Sequence, residues 1–125
     1  LIPYIINTML KGESPNLTAA EQIWDYIHVE DVAAAIFSVT ENFNANGIFN
    51  LGSGNGVPLK LIIEKTRDLI DPSIALNLGA IPYRKDQVMH LQANIDRLTN
   101  ATGWKPKIDI NAGLLETVNW WKSQK

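Results

Sequence analysis

Hydrophobic positions along the 125-residue chain change their spacing several times, and each change marks an element. LIPYIINTMLKG is helical from its first residue, with Leu1, Ile5 and Met9 on one stripe and Ile2, Ile6 and Leu10 beside it. Pro3 suits the first turn of that helix and Gly12 its C-terminal end. ESPNLTAA is a turn-rich link with a short extended piece around Leu17. Over residues 21–29 the period is two. It places Ile23, Ile27 and Val29 on one side of a predicted strand, and Gln22, Trp24, Tyr26 and His28 on the other. At Asp31 the period becomes about 3.6: Val32, Ile36, Val39 and Phe43 form a stripe, and Asp31 is the expected N-cap of a helix running to about Asn42.

Asn46-Gly47 turns the chain, and IFNLGSG reads as a strand ending in glycines. Pro58 sits where a first helical residue belongs. Leu59, Ile62, Ile63, Thr66, Leu69 and Ile70 then mark an amphipathic helix closed by Asp71-Pro72. Residues 74–78 can form a short strand, residues 80–87 a polar loop, and residues 88–92 an extended piece. A short helix from about Asn94 ends at Gly103. Asn111 is then the expected cap of a terminal helix whose stripe is Leu114, Leu115, Val118 and Trp121. Alternating strands and helices predict an α/β architecture.

One residue breaks the pattern of the first strand. Asp25 falls on its apolar side, where a carboxylate costs several kcal/mol unless it is paired or hydrogen-bonded. Backbone N–H groups or a basic side chain are expected to hold it, in a structural role.

Composition narrows the partners. With 46% hydrophobic and 19% charged residues, the chain has the content of one ordinary globular domain. A net charge of -2 and only three arginines lack the basic footprint of nucleic-acid binding. The absence of cysteine excludes disulfides and fits a reducing cytoplasm. No apolar run approaches the roughly 20 residues of a membrane span. The chain opens at Leu1, already helical and without an initiator methionine, as if cut from something longer.

Candidate chemistry is sparse. GSGNG, lying between a strand and a helix, invites a phosphate-loop reading, but G-x-G-x-x-G would require glycine at Val57 and no Gly-Lys-Ser/Thr follows. A tight turn before Pro58 accounts for it better. The two histidines, His28 and His90, lack carboxylates at metal-ligand spacing, so no metal site is expected. No G-x-S-x-G elbow supports a hydrolase. Trp120 and Trp121 suit packing of the last helix, with one ring partly exposed. Arg84, in the loop IPYRKDQ, is by composition a solvated surface residue, although a planar guanidinium on a loop also suits bidentate contact with phosphate or carboxylate.

Four motifs in order, WDYIHVEDVAAAI, IFNLGSGNGVPLKLIIE, PYRKDQV and NIDRLTNATGWKPKIDINAGLLETVNWW, carry a resemblance. Together they resemble the C-terminal part of the extended short-chain dehydrogenase/reductases, the NAD(P)-dependent nucleotide-sugar epimerases, dehydratases and reductases. The resemblance covers essentially the whole chain. It implies a C-terminal fragment of a Rossmann-type epimerase/dehydratase with mixed strands and helices, residues 1–125 forming a single substrate-binding domain.

The resemblance also implies a site. At the position of Trp24 the family usually has a basic residue that binds the nucleotide-sugar diphosphate, so this chain forgoes one charge-assisted hydrogen bond, of order 1.5–3 kcal/mol. Tyr26 matches a position near the substrate. Arg84 matches a loop arginine that contacts the diphosphate, and Gln87 stands where an acidic residue is usual. Leu1 matches a position lining the nucleotide pocket, and Asn16, Leu17 and Thr18 the extended piece that borders the base. The glycine-rich cofactor loop and the Tyr-x-x-x-Lys catalytic pair, whose tyrosine transfers a proton, belong in the family to an N-terminal Rossmann domain absent from this chain. None of Tyr4, Tyr26 and Tyr83 has lysine four residues on. NAD or NADP would be bound mainly by that absent domain, no residue here is expected to be catalytic, and the chain alone is expected to be inactive. A nucleotide sugar is the expected partner, with self-association through apolar surface left uncovered. A stand-alone, non-catalytic sugar-nucleotide-binding or protein-interaction module is the alternative.

Overall fold

The computed structural model describes residues 1–124, and its elements alternate as α1 (Ile2–Met9), β1 (Ile23–Asp25), α2 (Val29–Thr40), β2 (Gly56–Pro58), α3 (Leu59–Ile70), β3 (His90–Leu91), α4 (Asp96–Thr102) and α5 (Ile110–Ser123). No described helix is long and apolar enough to cross a membrane. The chain divides into two compact units. One comprises Leu1–Gln22, Pro58–Met89 and the described residues from Leu114 onward; the other comprises Ile23–Val57 and His90–Gly113.

In the first unit α1 packs on α3. Ile5, Ile6 and Met9 of α1, Leu59, Ile62 and Ile63 of α3, and Leu114 and Val118 of α5 are buried. Each such side chain contributes about 1.5–3 kcal/mol of hydrophobic stabilisation. Pro3 begins α1 as expected, and Gly12 takes a positive φ of 75° in the turns after it. Helix α3 has no side-chain cap, because Pro58 occupies the capping position. Two of its orphan N–H groups are satisfied by carbonyls upstream: Leu59 N donates to Gln22 O at 2.7 Å and Lys60 N to Ala20 O at 2.9 Å. The extended piece around Leu17 is real but brief, a parallel bridge of Asn16 with Asn77.

In the second unit a three-stranded sheet has the order β2-β1-β3. Strands β1 and β3 run parallel, Ile23 opposite His90 and Trp24 opposite Leu91. Ala35, Leu98 and Trp104 form its core, with Ile27, Val39, Phe49 and Ile95 packed against them.

Local readings fail here in instructive ways. The strand expected over residues 21–29 is regular only from Ile23 to Asp25. His28, not Asp31, is the N-cap of α2, its Nδ1 accepting from Glu30 N at 3.4 Å. Asp31 is buried in the first turn, where its carboxylate accepts from Lys107 N at 3.0 Å and Ile108 N at 2.9 Å. The inward stripe of α2 is consequently Asp31, Ala35 and Val39, and the expected stripe is displaced: Ile36 and Phe43 are exposed. IFNLGSG is not a strand; the N–H groups of Ser53 and Gly54 turn to a carboxylate rather than to a ladder, and β2 begins at Gly56. Helix α5 begins at Ile110, before Asn111, because Asp109 accepts from Asn111 N at 2.7 Å and Ala112 N at 3.1 Å. Trp120 is exposed and Trp121 half-buried, their rings edge to face at 5.3 Å.

Candidate functional site

Six of the expected site residues, Leu1, Asn16, Leu17, Thr18, Arg84 and Gln87, lie in the first unit. Leu17 N donates to Asn77 O at 3.0 Å, and Ile81 N donates to Leu17 O at 3.1 Å, so residues 16–18 are stitched to the start of the loop that carries Arg84. Asn77 Nδ2 donates to Asn16 Oδ1 at 3.0 Å. Tyr83 anchors the loop further on, its Oη accepting from Glu21 N at 2.9 Å. Arg84 and Gln87 close a turn through Gln87 N donating to Arg84 O at 3.1 Å. The Arg84 side chain is exposed and makes no ion pair among the described residues. Leu17 is buried in the core, Leu1 is exposed, and Thr18 Oγ1 accepts from Ala20 N at 3.3 Å.

Trp24 and Tyr26 lie in the second unit, flanking Asp25. Asp25 is held by four donors. Its Oδ1 accepts from Ser53 N at 2.7 Å and from the Ser53 hydroxyl; its Oδ2 accepts from Gly54 N at 3.0 Å and Ala93 N at 3.1 Å. The carboxylate on the apolar side of the strand is thus satisfied largely by backbone. Glycine at position 52 is what lets the loop approach, since a Cβ there would stand 2.6 Å from both Asp25 Oδ2 and Ala93 Cβ.

Beside this anchor Tyr26, Ser53, Asn55, Val57 and residues 106–110 line a cavity of about 280 Å³. Tyr26 Oη is buried and has no hydrogen-bond partner among the described residues. Burial raises the Tyr26 phenol above its ordinary pKa. Sequence reasoning missed Ser53 and Asn55 as cavity walls. The usable signal was the coincidence of a carboxylate on the wrong side of a strand with a loop rich in exposed N–H groups.

The α/β fold is that of Rossmann-type epimerases and dehydratases, some of them solved with NADPH or NAD bound. Residues 1–52 match the model of the NAD dependent epimerase/dehydratase family. The chain is 33% identical over 116 residues to CDP-abequose synthase of Salmonella muenchen, covering 91% of this chain and 39% of that protein. It is 30% identical over 130 residues to dTDP-glucose 4,6-dehydratase 1 of Escherichia coli K12, covering 98% and 36%. Among solved structures, UDP-N-acetylglucosamine 4-epimerase from Methanobrevibacter ruminantium, in complex with UDP-N-acetylmuramic acid, superposes with a TM-score of 0.89 at 30% identity, over all of this chain and 40% of that one. The chain spans about two fifths of the length of these relatives.

The glycine loop of this chain does not fit a dinucleotide. The N–H groups of Ser53 and Gly54 that would face a pyrophosphate already serve Asp25.

Proposed function

We propose that the chain is the nucleotide-sugar-binding portion of an NAD(P)-dependent epimerase, dehydratase or 4-ketoreductase, and that its residues bind and orient the sugar nucleotide. The reading rests on one observation above all: nearly the whole chain aligns with enzymes named for CDP-, dTDP- and UDP-sugars. In this reading Arg84 offers its guanidinium to the diphosphate from a turn held by Tyr83. Leu1 and the Asn16–Thr18 segment, whose Leu17 side chain is itself buried, border the nucleoside, with Gln87 beside Arg84; Tyr26 is the second unit's residue near the substrate. Holding a substrate in one orientation is itself a large share of catalysis. The nicotinamide cofactor and the proton-transferring tyrosine belong to a further domain, and this chain by itself is inactive. The compartment is cytoplasmic.

Calorimetric titration with UDP-, CDP- and dTDP-sugars tests the reading: weak binding of at least one is expected, and no binding of any overturns it. The coding sequence upstream of Leu1 supplies an independent check. A preceding region with a glycine-rich cofactor loop and Tyr-x-x-x-Lys is expected; a start codon at Leu1 leaves the stand-alone module instead.

A further inference from the structure

We infer that Asp25 is a positioning residue for ligand binding: it fastens the glycine loop against β1, so that Ser53 and Asn55 stand as a preset wall of the cavity beside Tyr26. The inference rests on the proposed nucleotide-sugar reading and deepens it. One carboxylate receives hydrogen bonds from Ser53 N, the Ser53 hydroxyl, Gly54 N and Ala93 N, and so ties three chain segments at a single point. Two of the four donors come from Ser53, which lines the cavity, and the third from the next residue. The Ser53 hydroxyl also accepts from Asn55 N at 3.1 Å, which passes the constraint to the second polar wall residue. Gly54 takes a positive φ of 77°, and Gln92 Nε2 donates to Gly54 O at 2.6 Å, so the loop is gripped from its carbonyl side as well.

This arrangement gives GSGNG a different purpose from anion capture. Its N–H groups form a nest of the kind that takes phosphates elsewhere, yet the anion is internal and comes from the end of β1, between Trp24 and Tyr26. Ligand selectivity at this wall therefore depends on a residue that need not touch the ligand.

The test compares wild type with Asp25→Ala by two readouts. Amide hydrogen exchange, measured without ligand, is expected to accelerate at least tenfold at Ser53, Gly54 and Ala93, the loss of one charge-assisted hydrogen bond at each. Nucleotide-sugar affinity, using whichever UDP-, CDP- or dTDP-sugar binds wild type, is expected to fall about tenfold. Sodium formate, which restores a carboxylate to the vacated space, is expected to recover protection at the three amides and part of the affinity, whereas sodium chloride at equal ionic strength does neither. Unchanged exchange in Asp25→Ala, or formate without effect on a folded variant, would overturn the fastening role. Altered exchange with unaltered affinity would overturn the link to binding, while failure of wild type to bind any sugar is a failure of the proposed function alone. If Asp25→Ala does not fold, Ser53→Ala removes only the hydroxyl donor, and is expected to speed exchange at Gly54 and Asn55 about threefold; no change there would equally overturn the inference.

Discussion

Replacing Asp31 tests the least expected feature of the second unit. The residue is only 4% exposed, and its two oxygens accept separately from the backbone N–H groups of Lys107 and Ile108. It also lies in the first turn of α2, where negative charge is favoured by the helix dipole by roughly 0.3–1 kcal/mol. Hydrogen bonds to a charged group contribute about 1.5–3 kcal/mol each, and a buried N–H left unpaired costs about 1–3 kcal/mol. Some of that is recovered as water reaches the partly buried amides, so Asp31→Ala is expected to cost about 3 kcal/mol, a large share of the roughly 5–15 kcal/mol that holds a domain folded. Asp31→Asn keeps one acceptor and should cost about half as much. Because two compact units need not unfold together, native-state amide exchange at Lys107 and Ile108 is a better assay than a global melt. A loss of about 3 kcal/mol accelerates exchange about a hundredfold. A folded Asp31→Ala variant whose exchange stays within about threefold of wild type at both amides would refute the reasoning.

Tyr26 supplies a pH prediction. Burial raises its phenol pKa, so folding favours the neutral form; the stabilisation is fully present below the unfolded value of about 10 and is lost as pH rises through the higher folded value. Ultraviolet titration should show a phenol ionising above the ordinary tyrosine range, and Tyr26→Phe should remove that late step; a titration curve unchanged by the substitution at high pH would contradict the burial. The outer face of α2 leads to a second expectation. Val29, Ile36 and Phe37 are 72%, 59% and 64% exposed on one helix, which predicts concentration-dependent self-association in sedimentation and its loss in Phe37→Glu; a wild-type monomer at all concentrations would count against it.

What the sequence revealed depends on how local the cause is. Helix α3 was legible because Pro58, the Leu59/Ile62/Ile63/Thr66 spacing and Asp71-Pro72 act within a few residues of one another. Gly103, at a φ of 76°, closes α4 where its residue type places it. The start of α2 was misjudged because Asp31 has a good cap's chemistry but is drawn inward by two amides 76 and 77 residues away, a partner no local pattern contains. IFNLGSG failed for the same reason: its strand pattern is sound, yet Asp25 takes the N–H groups of Ser53 and Gly54. The site divides likewise. Asp25 stood out by its place on the wrong side of a strand, whereas Arg84 reads by composition as a solvated surface residue and enters as a candidate only through the resemblance. The cavity walls at Ser53, Asn55 and residues 106–110 come together only through tertiary contacts.

The central claim, that this chain holds a sugar nucleotide by its diphosphate, is tested most directly by calorimetric titration of wild type and Arg84→Ala with the same UDP-, CDP- or dTDP-sugar. Arg84 is exposed on its turn, so its removal should leave the fold intact. Loss of one charge-assisted contact of about 1.5–3 kcal/mol should weaken binding about tenfold or more. Equal affinity in the two proteins would contradict the account.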